Sequence, residues 1–281
     1  MTAHQRQPEM PDLRVVPVAE LLLHEQHDAQ RSKPLLQRLQ TDGVLKNPPI
    51  VAPINGEQRY VVLDGANRVT AMQALGIAHI AVQVVDYEDA DLILDTWHHL
   101  VSGIGAGHFH GMLHAMQGIK IELADAAHAR AQLARREVLV LVEYPNGESW
   151  TVQASGDLHQ RTQQLNEIVD LYKVQGLIFR ANSDHLPSLL PYYDNVAALV
   201  VFPRFAPAEI IDLARVGARL PAGITRHLIP RRALGINLPL TALSNGASLS
   251  EKNARLVDWL KQKMASKAVR YYHESTFLFD E

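Results

Sequence analysis

The chain has 281 residues, of which 47% are hydrophobic, a formal net charge of −3 and no cysteine. This length and apolar content suffice for one large domain or two modest ones. The absence of cysteine excludes thiol catalysis, and the acidic balance without a Lys/Arg run argues against a nucleic-acid partner. No apolar run reaches the ~20 residues that span a bilayer, so we expect a cytoplasmic protein with no membrane partner.

Apolar periodicity predicts strands that alternate with helices. After a flexible tail over residues 1–11, the predicted elements are an apolar segment at 21–23, a helix through Leu39, a strand at 60–63, a helix that ends at Gly76, a hairpin of strands 138–143 and 150–152, a helix at 157–172, buried strands at 177–179 and 197–202, a helix from Pro207 and a last helix at 251–264. This alternation favours an α/β or mixed α+β fold.

The junction between the strand at 60–63 and the following helix carries the densest chemistry. Asp64, Asn67 and Arg68 lie within one turn of a glycine, at a helix start where backbone N–H groups attract anions. The junction therefore predicts a phosphate or carboxylate site. The alternative is an ordinary strand-to-helix turn in which Asp64 caps the helix.

Two further patterns are less specific. The glycines at 103, 105 and 107 lack a P-loop lysine and the Rossmann spacing, which favours a flexible connection. His110 and His114 have the i, i+4 spacing of zinc ligands, but no glutamate follows the first histidine. We read them as a hint of a metal or haem site.

The segment Leu-Asp-Gly-Ala-Asn-Arg (63–68) and its alanine-rich helix resemble the signature of the ParB/sulfiredoxin superfamily, over about residues 12–87. Ala66 stands where sulfiredoxins carry their catalytic cysteine. The arginine-rich box of ParB partition proteins is also absent from this turn.

The chain resembles most closely one branch of that superfamily, the free L-serine kinases, in three separated places. These are His24-Glu25, the turn at 64–68 with Asn67 in place of the usual histidine, and the segment 223–234 together with the tail 270–281. The resemblance implies a ParB/sulfiredoxin-like domain over residues 12–100, a C-terminal α/β domain over 101–281 and a cleft between them. It also implies phosphorylation of free L-serine to O-phospho-L-serine by ATP or ADP with Mg²⁺, feeding cysteine, diaminopropionate or siderophore biosynthesis.

Phosphoryl transfer needs positioning, neutralisation of phosphate charge and a group that deprotonates the attacking hydroxyl. The resemblance implies that Glu25 is the catalytic base, and the alternative is a surface acid at a helix start. Asp64 is expected to hold Mg²⁺ or to orient the hydroxyl. The remaining candidates are, for nucleotide phosphates, Gly65, Ala66, Asn67, Arg68 and Arg231, and for the substrate, His24, Trp97, Thr225, Arg226 and His227.

Several alternatives stay open at this point. Arg68 could form a structural salt bridge with Asp64 or Asp86, Trp97 could be a core residue, and the predicted loop at 223–232 could be solvated surface charge. A ParB-like regulator that binds DNA or a nucleotide, or a ParB-type nuclease, would use the same turn. The nucleotide donor, the choice of serine over threonine or homoserine, and a homodimer are not decided.

Overall fold

The computed structural model describes residues 10–27 and 29–272. The tail expected over residues 1–11 therefore lies mostly outside the described residues, as does most of the motif at 270–281. The strands, in chain order, are β1 (Asp12–Pro17), β2 (Leu21–Leu23), β3 (Val44–Leu45), β4 (Ile50–Pro53), β5 (Tyr60–Asp64), β6 (His79–Val84), β7 (Ile93–Thr96), β8 (His98–Ser102), β9 (Lys120–Ala124), β10 (Val140–Glu143), β11 (Ser149–Gln153), β12 (Leu177–Ala181), β13 (Val196–Val201), β14 (Thr225–Leu228) and β15 (Leu238–Pro239). The helices are α1 (Ala29–Asp42), α2 (Ala66–Ala74), α3 (Ala106–Ala115), α4 (Ala126–Ala134), α5 (Leu158–Lys173), α6 (Leu186–Leu189), α7 (Pro207–Arg215), α8 (Leu240–Ser244) and α9 (Leu249–Ala265).

Two sheets form the framework of this mixed α/β fold. The first has five strands in the order β1-β6-β4-β5-β2, with both parallel and antiparallel pairs. The second has six strands in the order β12-β8-β13-β10-β11-β9, and its pairs are antiparallel. Two short antiparallel pairs, β7 with β14 and β3 with β15, connect distant parts of the chain.

Alternation along β5 explains how the first sheet buries both of its faces. Val62 packs into a core with Val69 and Met72 of α2, while Val61 and Leu63 point to the opposite face. Successive strand residues face opposite sides of a sheet, so an apolar run such as Tyr60–Asp64 supplies two cores at once. The second of these cores is continuous with that of the six-stranded sheet, so the two sheets pack as one body.

Helix α9 covers the outer edge of the first sheet. The side-chain amide of Asn253 accepts a hydrogen bond from the Val15 N–H at 2.9 Å and donates one to the Val15 carbonyl at 2.8 Å. Val15 lies in β1, an edge strand whose outward backbone groups would otherwise need water or another strand.

Most of the predicted elements are confirmed. The hairpin is β10 and β11, and the helix expected at 157–172 is α5, which begins at an Asp157 capping box with Gln160. The helix expected through Leu39 continues to Asp42. The glycine series forms the turn between β8 and α3, where Gly105 is the residue before the helix.

Two predictions about local structure are wrong. The strand at 177–179 was expected to be buried, but β12 is an edge strand and Leu177 is 62% exposed. The segment after Gly223 was expected to be a loop, but residues 225–228 form β14, because β7 provides a pairing partner that is distant in sequence. No helix in the described part of the chain is long and apolar enough to cross a membrane.

The expected domain boundary between residues 100 and 101 falls within β8. In addition, Ile236, Leu243 and Leu256 belong to the core of the first sheet, so the chain returns there after completing the second. We therefore propose a division by sheet, in which the C-terminal helices accompany the N-terminal strands.

Candidate active site

A cleft of about 990 Å³ lies where the ends of β2 and β5 face the segment around β14. This volume is within the range of small-molecule sites. The cleft is lined by residues from all three separated regions singled out in the sequence, including Glu25, Asp64 and Thr225. The arrangement expected from the sequence, with these regions around one space, is thus what the structure contains.

The turn after β5 places the start of α2 at this cleft. Gly65 has a φ of +98°, and a Cβ built on it would lie 3.0 Å from Pro49, so this position requires glycine. Ala66 and Asn67 follow at the helix start and line the cleft. In the described structure α2 has no side-chain cap, so the alternative in which Asp64 caps this helix is wrong.

Asp64 lies between two guanidinium groups. Arg68 donates to Asp64 Oδ2 at 3.3 Å and to the carbonyls of Asn47 and Pro48 at 3.2 and 2.9 Å, and Arg232 also donates to Asp64 Oδ2. Burial alone would raise the pKa of Asp64, but the charges of Arg68 and Arg232 outweigh burial and lower it. Asp64 is therefore ionised at neutral pH. The salt bridge considered for Arg68 exists, with Asp64.

Arg232 occupies the position that was expected for Arg231. Arg231 has a φ of +54° and pairs with Asp89 at 3.3 Å, outside the described lining of the cleft. Arg232 lines the cleft beside Asp64. We therefore replace Arg231 with Arg232 as the candidate phosphate ligand.

Glu25 joins the end of β2 to the segment before β14. Its Oε2 accepts from the Gly223 N–H at 2.9 Å, and its Oε1 accepts from the Thr225 N–H at 2.6 Å and from the Thr225 hydroxyl at 2.5 Å. The backbone pairs as well, since Glu25 forms a parallel bridge with Leu220. The alternative of a surface acid at a helix start does not hold, because Glu25 lies in the cleft and bridges two segments.

His24 and His227 lie behind this carboxylate. His24 is 3% exposed; its Nδ1 lies 2.7 Å from the Val62 carbonyl and its Nε2 lies 2.9 Å from Thr225 Oγ1. His227 contacts the Tyr87 hydroxyl through Nε2 at 2.8 Å, and the two imidazole rings meet edge to face at 5.5 Å. Burial lowers the pKa of His24 and lowers the pKa of His227 to about 3, so both rings are neutral at physiological pH.

Trp97 and Arg226 form one wall of the cleft. Trp97 directly follows β7 and donates its backbone N–H to the Ile224 carbonyl at 2.8 Å. Arg226 lies on β14, opposite Asp95 of β7, and its Nη1 is 3.8 Å from Asp95 Oδ2. Pairing of β7 with β14 therefore brings an aromatic ring and a guanidinium together at the cleft.

Several cationic residues of the cleft were not singled out in the sequence. One is Arg180 of β12, whose guanidinium lies against Gly223 so closely that a Cβ built there would be 1.9 Å from Nη2. The cationic residues among the described lining are Arg38, Lys46, Arg68, Arg180, Arg226 and Arg232, against the acids Glu25, Asp42 and Asp64. The cleft is thus positive although the chain carries a net charge of −3, which suits a polyanionic ligand.

The histidine pair on α3 lies away from this cleft. The rings of His110 and His114 are 4.3 Å apart and both contact Trp150. Within residues 10–27 and 29–272, no group of three or more His, Cys, Asp or Glu residues is arranged to hold a metal ion. The hint of a metal or haem site therefore gains no support from the described residues.

Comparison with known proteins identifies several L-serine kinases as relatives. No family model matches the chain. It is 25% identical over 236 residues to an ATP-dependent L-serine kinase of Staphylothermus marinus, covering 82% of this chain and 90% of the relative. It is 24% identical to the ATP-dependent L-serine kinase SbnI of Staphylococcus aureus (96% and 97% covered) and 23% identical to the ADP-dependent L-serine kinase SerK of Thermococcus kodakarensis (78% and 88%).

Solved structures give the same picture for the fold. A mutant free serine kinase in complex with AMP superimposes with a TM-score of 0.72 at 16% identity, covering 86% of this chain and 98% of that one. C-terminally truncated SbnI superimposes with a TM-score of 0.69 at 22% identity, covering 90% and 97%. The fold of this chain is that of the free serine kinases, and the resemblance found in the sequence is confirmed.

Proposed function

We propose that this protein is a kinase that transfers a phosphoryl group from ATP or ADP to the hydroxyl of free L-serine, giving O-phospho-L-serine. The observation that carries the proposal is the convergence of Glu25, the turn at 64–68 and the segment 223–227 on one positive cleft. Two relatives that cover 82% and 96% of the chain are L-serine kinases by name. Phosphoserine would then supply cysteine, diaminopropionate or siderophore synthesis.

The nucleotide phosphates fit the end of the cleft formed by the turn at 64–68. The start of α2 offers backbone N–H groups and the positive end of a helix dipole. Arg68 and Arg232 add two planar guanidinium groups that suit phosphate oxygens. Both arginines are held by Asp64, so they are positioned before a ligand arrives.

Mg²⁺ fits this end of the cleft through Asp64. Magnesium takes one or two carboxylates together with phosphate oxygens rather than a full protein cage, and Asp64 is ionised beside the proposed phosphate site. When bound, the ion would neutralise phosphate charge during transfer.

Serine fits the other end, between Glu25 and the wall formed by Trp97 and Arg226. Oε2 of Glu25 accepts from the Gly223 N–H, and a carboxylate oxygen has a second lone pair for the substrate hydroxyl. We assign Glu25 the role of general base. The guanidinium groups of Arg180 and Arg226 are the candidates for the α-carboxylate of the amino acid.

The direct test is incubation of the purified protein with L-serine, Mg²⁺ and either ATP or ADP, followed by ³¹P NMR. We expect the phosphomonoester resonance of O-phosphoserine with at least one donor, and parallel reactions with threonine and homoserine define the acceptor. The Glu25→Gln variant should lose about 10²- to 10⁴-fold in kcat. The control variant Glu88→Gln changes an exposed residue outside the cleft and should keep the wild-type kcat. Absence of product with every nucleotide would refute the proposal, and salt-sensitive DNA binding by the same sample would favour a ParB-like regulator.

A further inference from the structure

The tautomer of His24 follows from its hydrogen bonds. Nδ1 is 2.7 Å from the carbonyl oxygen of Val62, and a carbonyl can only accept, so Nδ1 carries a proton. Burial lowers the pKa of this ring, which favours its neutral form. In the neutral ring Nε2 then has a lone pair and no proton, and it faces Thr225 Oγ1 at 2.9 Å.

The hydroxyl of Thr225 consequently has two acceptors and one proton. Besides Nε2 of His24, it lies 2.5 Å from Oε1 of Glu25. While Glu25 is charged, both neighbours accept and only one can receive the hydroxyl proton. A charged acceptor forms the stronger bond, so the proton points to Glu25 in the resting enzyme. His24 Nε2 is then an acceptor to which Thr225 donates no hydrogen bond.

The groups that surround Glu25, Thr225 and His24 do not supply a second proton for the two acceptors. His227 meets the His24 ring edge to face and is itself neutral, with Nε2 at the Tyr87 hydroxyl. The charges of Asp64 and Arg232 act on His227 with opposite signs. On the other side of the chain, the Arg180 guanidinium lies against Gly223, next to Glu25 Oε2.

We propose that the Thr225 hydroxyl changes its acceptor during each turnover, from Glu25 Oε1 to His24 Nε2. This proposal rests on the kinase function proposed above. The O–H bond of serine breaks and its proton joins Oε2 of Glu25. The electron pair left on the serine oxygen forms the bond to phosphorus, while the bond from phosphorus to the bridging oxygen of the nucleotide breaks. Oε1 becomes the carbonyl oxygen of a neutral acid, and the Thr225 hydroxyl rotates to His24. When Glu25 releases its proton to water, the hydroxyl rotates back.

This assigns opposite roles to two positioning residues. Thr225 stabilises the charged carboxylate, because its hydroxyl donates to Oε1 in that state. His24 stabilises the protonated carboxyl, because its Nε2 accepts the hydrogen bond that the Thr225 hydroxyl no longer donates to Glu25. The buried Nε2 and the hydroxyl then each have a hydrogen-bond partner. A rigid structural contact would give no such opposition.

The decisive measurement is kcat/KM against pH for four variants. Thr225→Val should move the acidic limb to higher pH by about one to two pH units, since a hydrogen bond to the charged carboxylate is lost, while Thr225→Ser restores the wild-type limb. His24→Asn, which keeps a donor for the Val62 carbonyl, should move the limb to lower pH. Thr96→Val is the matched control, because Thr96 pairs with Thr225 in the same two-stranded sheet and its buried hydroxyl contacts the Pro203 carbonyl at 3.3 Å. Shifts in the same direction for Thr225→Val and His24→Asn, or an unshifted Thr225→Val, would overturn the proposal.

A second measurement does not depend on activity. ¹⁵N NMR of the imidazole nitrogens in the ligand-free wild-type protein should show His24 with its proton on Nδ1 between about pH 6 and pH 8. A proton on Nε2 in this range contradicts the inference even if the enzyme makes phosphoserine. Failure of the kinase assay with the expected tautomer present would instead refute the proposed function and leave the hydrogen-bond assignment intact.

Discussion

The guanidinium of Arg226 lies over the indole ring of Trp97, with Cζ 4.4 Å from the ring centroid. The two residues are distant in sequence, and pairing of β7 with β14 brings them together. A cation over an aromatic face gains more when water is excluded, and this pair lines a cleft rather than open surface. The ring therefore fixes the direction of a guanidinium that lines the cleft, where we propose that it binds the substrate.

Replacement of Trp97 by leucine should raise KM for serine about tenfold with a smaller change in kcat, since it removes a binding wall and no reacting group. Initial rates over a serine titration measure this. Trp259→Leu is the control, because Trp259 carries a similar contact from Lys263 at 5.5 Å on α9, away from the cleft. Equal effects of the two substitutions would show that Trp97 serves only packing.

Adjacent arginines allow a sharp comparison at the other end of the cleft. Arg232→Gln should raise KM for the nucleotide about tenfold, because it removes a guanidinium from the proposed phosphate site. Arg231→Gln breaks an ion pair with Asp89 outside the cleft and should change KM less than about twofold. Initial rates over a titration of the nucleotide donor measure both values of KM. A larger effect from Arg231 would restore the assignment made from the sequence.

Gly223 and Gly217 share a φ of +73°. A comparison of alanine substitutions at these two positions therefore separates the effect of backbone strain from the effect of a side-chain clash. Alanine at either position should cost about 1 kcal/mol in the free energy of unfolding. At Gly217 no described atom lies within 4 Å of the new Cβ, whereas at Gly223 the Arg180 guanidinium must move. We expect Gly223→Ala alone to lower kcat/KM and to destabilise the protein further. Urea unfolding and initial rates test this, and indistinguishable variants would contradict it.

The environment of Asp64 predicts a pH dependence of stability. Because its folded pKa is lowered, Asp64 contributes stability that is present above its unfolded pKa of about 4 and is lost as pH falls through the folded pKa. Asp64→Asn should therefore be less stable than the wild type near neutral pH and lose less stability on acidification. Urea midpoints at several pH values measure the difference. Asp258→Asn, which removes an exposed pair with Lys261, should follow the wild type.

Local patterns predicted the elements that local chemistry determines. The turn at Gly65, the hairpin of β10 and β11 and the Asp157 cap each depend on residues within a few positions. The pairing of β14 with β7 has no local signature, so the local pattern around Thr225 predicts a loop and not a strand. The same limit made β12 look buried, because an apolar run does not reveal whether a strand lies at the edge of a sheet.

The site shows a similar division. Residues inside recognisable motifs, such as Glu25 and Asp64, were predicted to meet and line the same cleft. Arg180 was not predicted, because a single cation on an edge strand belongs to no sequence pattern. Its place in the cleft follows from the three-dimensional structure, in which its guanidinium lies against Gly223. The assignment of Arg231 rather than Arg232 depended on which of two neighbours turns inward, a property of backbone angles that composition does not encode.

The side-chain amide of Asn253 forms hydrogen bonds with both backbone groups of Val15. At this residue it therefore takes the place of a neighbouring strand. A second molecule cannot extend the five-stranded sheet across β1 without first displacing α9. If two copies of this protein associate, they must therefore use another surface, and loss of α9 would expose an unpaired strand edge prone to aggregation.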